Sequence, residues 1–199
     1  VVASLPAAAD EGGNRRRGFS YSARRPDADH DTPEAVGREP ARRTLRKLGA
    51  RKVPTCEAPV VFDPDAARSI LGTLGGCLMG SSIWRKSSYL LDREGTPVAS
   101  PLVTIVDDPL IPRAPGSRPF DGEGLASRRT VVVNGGVPQT YLLDSYSARK
   151  LGRKSTASAA RSGGSVGAST TNFILQAGKD SPERIIESTA RGLYVTEMM

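Results

Sequence analysis

Apolar and polar positions along this chain follow two periods, and the clearest β pattern lies near the middle. The run Arg129-Thr130-Val131-Val132-Val133 is β-branched, Asn134-Gly135-Gly136 follows it, and a second apolar-rich run covers residues 137–143. Asn and Gly tolerate positive φ, so two such runs joined by them predict a hairpin. Asp144-Ser145 then caps a short helix through Ser145, Tyr146, Ala148 and Leu151. Gly152 closes it where a left-handed residue is wanted.

Upstream, residues 1–28 read as Gly-, Arg- and Asp-rich connecting structure, with at most short strands over 1–5 and 19–22. Thr32-Pro33-Glu34 predicts a helix start. Val36, Leu45 and Leu48 are its apolar positions, Gly49 ends it, and Pro40 is expected to kink or split it. A strand over 58–62 leads to Asp63-Pro64, which opens a second helix with the stripe Ala66, Ala67, Ile70, Leu71 and Leu74. Gly72, Gly75 and Gly76 each weaken a helix by about 1 kcal/mol relative to Ala, so close backbone packing is expected to explain them.

A turn over 92–95 precedes a strand over 102–106, and a loop with four prolines spans 109–119. Residues 152–169 are rich in Ser, Gly, Ala and basic side chains and read as a mobile loop. A strand over 171–176, a helix from Ser181-Pro182-Glu183 to Gly192, and a final strand from Leu193 complete the series. The chain stops inside that strand, so it reads as a fragment whose last strand lacks its partner. Hairpins and short helices without a regular βαβ alternation predict an α+β fold built on antiparallel sheet.

Composition narrows the functional classes. The net charge of +7 suggests nucleic acid until it is divided along the chain. Residues 1–52 hold 12 Lys+Arg against 7 Asp+Glu, so most of the excess sits in the first quarter. Arg15-Arg16-Arg17 and Arg24-Arg25 have only Phe19 and Tyr21 as aromatic neighbours. A solvated or partner-facing surface outweighs direct nucleic-acid binding. Cys56 and Cys77 are too few for a disulfide scaffold, which fits a reducing compartment. No apolar run reaches the length needed to cross a membrane and residues 1–9 do not read as a signal peptide, so a cytoplasmic location is expected.

The only histidine, His30, stands between Asp29 and Asp31, but adjacent positions rarely converge on one ion. Cys77 has no neighbouring histidine to activate it and reads as a buried filler. Asp121 and Glu123, with Asp107 and Asp108 upstream, form the best acidic constellation. They are compatible with cation binding or acid/base work, and more so with ordering the Pro-rich loop through backbone amides. Asp144, Tyr146 and Arg149 form a second set at a helix start, compatible with a peptide cleft or partner surface. The strand edges beside Asn134-Gly135 offer strand addition to an extended peptide.

Two motifs at a fixed separation carry a family resemblance: Phe120-Asp121-Gly122-Glu123-Gly124, and Tyr141-Leu142-Leu143-Asp144-Ser145-Tyr146-Ser147-Ala148-Arg149-Lys150-Leu151-Gly152. Together with flanking matches over about 18–199, the chain resembles the TldD/PmbA family, and within it the PmbA branch, also called TldE. The resemblance implies that residues 1–31 end an amino-terminal domain and that 32–199 form a carboxy-terminal domain, barrel-like and truncated at its end.

TldD-type members resemble zinc metallopeptidases with a His-Glu-x-x-x-His helix, whose histidines bind the metal and whose Glu activates water. Placed on this chain by Gly76 and Arg85, those positions fall on Gly72, Thr73 and Cys77, and none matches. The resemblance therefore implies a subunit that is not catalytic alone and holds no cofactor. A TldD-like partner would bring the zinc and cleave small or unfolded peptides, while this chain shapes the peptide chamber, with self-association also open to it. Asp121, Glu123, Gly124, Asp144, Tyr146 and Arg149 are the candidates for cleft or partner surface. The alternatives are an active metallopeptidase with ligands outside this chain, and a DNA gyrase-associated regulator, as an older family label suggests.

Overall fold

A computed structural model describes residues 2–198, and for 2–7, 14 and 27 the backbone alone. Val1, where the first short strand was expected to begin, and Met199 lie outside the described residues. The chain divides into one compact unit of residues 1–56 and 113–115 and a second of 57–112 and 116–199.

In the first unit, β1 (Val2–Glu11) and β2 (Asn14–Ala23) pair antiparallel over their whole length. This corrects the reading of residues 1–28 as connecting structure. Gly12 and Gly13, at φ 58° and 84°, make the two-residue turn, and the Asp10 carboxylate accepts from the Gly13 amide. The strands are built largely from Ala, Ser and Arg, so no apolar alternation marks them in the sequence.

Helix α1 (Pro33–Leu45) starts on the expected cap, with the Thr32 hydroxyl accepting from the Ala35 amide. It runs unbroken through Pro40, contrary to the expected break. Val36, Pro40 and Thr44 form its buried row, so the ring that interrupts the backbone ladder sits where burial offsets that cost. Gly18 permits the close approach: a Cβ there would lie 2.8 Å from Thr44 Oγ1 and 3.0 Å from the Pro40 carbonyl. Leu45, expected on the apolar side, is 60% exposed. On the outer face Arg42 and Arg43 grip Glu39 and hold its carboxyl down at about 2.

In the second unit, β3 (Val60–Phe62) leads through the Asp63 cap into α2 (Pro64–Cys77), and α3 (Gly80–Trp84) follows after a short strap. Strands β4 (Ile105–Asp107), β5 (Thr130–Asn134) and β6 (Val137–Pro138) precede α4 (Ser145–Lys150). Then come β7 (Ala159–Ser162), β8 (Ser165–Ala168), β9 (Phe173–Leu175), α5 (Pro182–Ser188) and β10 (Leu193–Val195). The main sheet is antiparallel in the order β6-β5-β4-β9. Helices and antiparallel sheets thus coexist as expected, and among the described residues no sheet closes into a barrel.

Three expectations change here. The final strand is not unpaired: β10 pairs parallel with β3. Residues 152–169 are not simply a loop, because Gly163 and Gly164 turn β7 back into β8. The strand expected over 102–106 is confined to Ile105–Asp107. The Val103 carbonyl is taken by the Gly136 amide at 2.8 Å, and the Val98 and Ala99 amides bind the Gly136 carbonyl. Residues 98–103 therefore cover the β5–β6 turn instead of extending β4.

The core of this unit holds Leu78, Ile83, Leu90, Ile105, Val132, Val133, Tyr141, Leu142, Leu143 and Ala148. The strap between α2 and α3 is tied to it through Leu142, which donates to the Leu78 carbonyl at 3.0 Å and accepts from the Gly80 amide at 2.8 Å. A Cβ on Gly80 would run into Ser147 and Leu143. Of the α2 glycines only Gly75 is packed, 3.4 Å from the Phe173 ring by the same measure; Gly72 and Gly76 face open space, which corrects the packing explanation for those two.

This contrast is measurable by urea unfolding of the full chain. Gly72→Ala and Gly76→Ala are each expected to stabilise by about 0.5–1 kcal/mol through helix propensity. Gly136→Ala, at φ 79° and against the Ser100 carbonyl, is expected to cost more than about 2 kcal/mol.

Candidate functional site

The positions where the zinc motif would fall lie on the outer part of α2. Gly72 offers no side chain and is exposed. Thr73 is exposed and donates its hydroxyl to the Ser69 carbonyl at 3.1 Å, the ordinary back-bond of a helical Thr. Cys77 is partly buried against the core and carries a free thiol, as does exposed Cys56. Its carbonyl accepts from Ser88 Oγ at 2.7 Å. Burial, and secondarily the nearby Cys77 sulfur, push the hydroxyl of neighbouring Tyr89 up. Zinc needs three or four N, O or S donors, and these positions supply one sulfur. Among the described residues no three His, Cys, Asp or Glu side chains gather in a geometry that would hold a metal. The donor set here does not fit the ion.

The Phe120–Gly124 segment is held in place by backbone and carboxylate hydrogen bonds. Asp121 is 3% exposed, and its Oδ1 accepts from the Glu123 and Leu125 amides, each at 2.9 Å. Its Oδ2 accepts from the Ala159 amide at 3.1 Å, which ties the loop to β7. Gly122 lies against β7 as well: its amide donates to the Ala159 carbonyl, and a Cβ would come within 3.0 Å of Ala160 Cα. Gly124 holds φ 86°, closing the turn onto the Asp121 carbonyl. Glu123 Oε2 accepts from the Ser145 amide at 2.9 Å, so the first motif is joined to the start of α4.

At α4 the second motif behaves as a cap. Asp144 is buried and its Oδ1 accepts from the Ser147 amide at 3.0 Å and from the Ser147 hydroxyl. Ser147 and Ala148 face the core, whereas Tyr146, Arg149 and Lys150 face outward around a cavity of about 390 Å³. Tyr146 meets Trp84 of α3 edge-on. Trp84 and Lys150 were not singled out from the sequence, although Trp84 is the only tryptophan and precedes Arg85-Lys86.

The upstream acidic residues are engaged separately. Asp107 is 3% exposed and accepts from the Thr171 amide at 2.7 Å. Burial pushes its carboxyl up, against the pull of Thr171 and the Arg118 charge. Asp108 accepts from the Leu110 amide and lies 3.7 Å from Arg129. Around His30, Asp31 pairs with Arg24 and Asp29 with Arg113, and both ring nitrogens are buried without a hydrogen-bond partner among the described residues. Among the described residues no helix is long and apolar enough to cross a membrane.

Asp121→Ala removes the acceptor of three backbone amides and is expected to cost about 3 kcal/mol or more in urea unfolding. Asp121→Asn, which keeps one carbonyl oxygen, is expected to cost less.

Residues 55–199 match the family profile described as the PmbA/TldA metallopeptidase C-terminal domain. Over 191 residues the chain is 39% identical to metalloprotease PmbA of Escherichia coli O157:H7, covering 96% of this chain and 41% of that protein. It is 30% identical to the metalloprotease TldD homolog of Haemophilus influenzae over 205 residues, 98% of this chain and 42% of that protein. A crystal structure from Thermotoga maritima MSB8, described as a modulator of a DNA gyrase, superposes with a TM-score of 0.89 at 27% identity. That match covers 98% of this chain and 44% of the other. The chain thus spans about two fifths of the length of the relatives it matches. On the profile and these identities, it belongs to the PmbA/TldD metallopeptidase family.

Proposed function

We propose that this chain is the carboxy-terminal part of a PmbA/TldE-type subunit that is not catalytic alone, within a complex whose zinc and peptidase chemistry come from a TldD-like partner. The observation that carries this reading is the set of side chains on α2, where exposed Gly72 and Thr73 and partly buried Cys77 occupy the ligand and base positions of the TldD-type motif. Identity of 39% to metalloprotease PmbA over 96% of this chain supports the branch assignment. In this reading the substrates are small or unfolded peptides, the complex is cytoplasmic, and the barrel expected of the carboxy-terminal domain requires strands beyond those described.

The side chains of this chain contribute shape and charge to the peptide chamber. Strand β9 is an end strand of the main sheet, with Ile174 and Leu175 partly exposed, and such an edge suits an extended peptide. Tyr146 and Arg149 present aromatic and cationic surface beyond the α4 cap.

The full-length protein, purified with and without a TldD-like partner, tests the reading through peptidase assays. Peptide cleavage is expected only when both are present, and unchanged by Cys77→Ser. Cleavage by this protein alone would overturn it.

A further inference from the structure

Trp84 and Tyr146 meet with ring centroids 5.9 Å apart and planes at 77°. The Arg85 guanidinium lies 5.0 Å from the centre of the Trp84 ring, and the Lys150 ammonium lies 5.9 Å from Trp84 and 5.6 Å from Tyr146. Tyr146, Arg149 and Lys150 line the cavity of about 390 Å³, and all three are exposed. It is a depression open to solvent rather than an enclosed cavity, with room for the end of a peptide and not for its length.

Arg85, Arg149 and Lys150 have no acidic partner among the described residues. The nearby carboxylates are committed elsewhere, Asp144 to the cap of α4 and Glu123 to the Ser145 amide. Three cations without a counter-ion, set beside two aromatic rings, favour an anion that carries an apolar neighbour. The rings are turned edge-to-face and topped by Arg85 and Lys150, so they do not offer the open faces on which nucleobases stack. A planar carboxylate, by contrast, fits the guanidinium fork of Arg149.

We propose that this cavity is a carboxylate-recognition subsite for peptides. Arg149 and Lys150 bind the carboxylate, and the adjoining side chain rests against the exposed edge of Tyr146. The inference rests on the peptide-handling role proposed above and names its substrate preference. The carboxylate comes from the peptide terminus or from an acidic side chain.

Fluorescence anisotropy of amino-terminally labelled peptides, titrated with the full-length protein, tests it with two matched pairs. One pair is a free acid and its amide; the other is an amide ending in Glu and one ending in Gln. The carboxylate member of at least one pair is expected to bind about fivefold more tightly, and the pair that responds identifies the source. Arg149→Gln combined with Lys150→Gln is expected to abolish that preference, with an unchanged urea-unfolding midpoint reporting an intact fold. Equal affinities within both pairs, or a preference that survives the double variant, would overturn the proposal. So would competition by an oligonucleotide, or loss of partner-subunit association in the double variant with peptide preference intact. Failure of the peptide-handling role shows separately, as absence of any effect of this protein on the partner's peptidase activity.

Discussion

Leu142 is the point on which the second unit depends. Its amide and carbonyl hold the Leu78–Gly80 strap, its side chain is fully buried, and its neighbours Tyr141 and Leu143 are nearly so. Tyr141 adds a hydrogen bond from its hydroxyl to the Leu90 carbonyl at 2.7 Å. Because Gly80 presses on Ser147 and Leu143, the end of α2, the start of α3 and the inner face of α4 are fixed by one set of contacts. The orientation of the outer faces follows from that inner arrangement. The α2 surface that carries Gly72 and Thr73 lies outside it, so side chains there can differ between relatives at little cost to packing.

The acidic residues follow a second regularity. Asp107, Asp121, Glu123 and Asp144 each accept a backbone amide from another segment or from their own helix start. Buried polar groups need such partners, and a carboxylate holding several amides is a strong joint. The backbone-ordering role that the sequence favours for Asp121 and Glu123, and the cap it gives Asp144, are the contacts these carboxylates make in three dimensions. The cations beside them, Arg149, Lys150 and Arg85, are left facing outward with no such commitment.

Much of this was legible because it rests on local chemistry. The Asn134-Gly135-Gly136 turn, the Thr32, Asp63, Asp144 and Ser181 caps, and Gly152 at φ 64° all follow from residue type and position. The two Gly-Gly hairpins at 12–13 and 163–164 were missed because Ala, Ser, Gly and Arg strands carry no apolar alternation. Pro40 misled because its burial against Gly18 is a tertiary effect, and the β3–β10 pairing joins segments more than a hundred residues apart. Within the site, Tyr146 and Arg149 came from motif spacing. Trp84 joins them only through the packing of α3 on α4, which no local pattern encodes, whereas Lys150 stands four residues after Tyr146 on the same helix.

The central claim is that Gly72, Thr73 and Cys77 of α2 have no means of holding a zinc ion. Elemental analysis of the full-length protein, prepared without a partner and equilibrated with zinc before desalting, measures this directly. The account predicts no zinc above background. One equivalent of zinc, lost on replacing Cys77 with Ser, would contradict it.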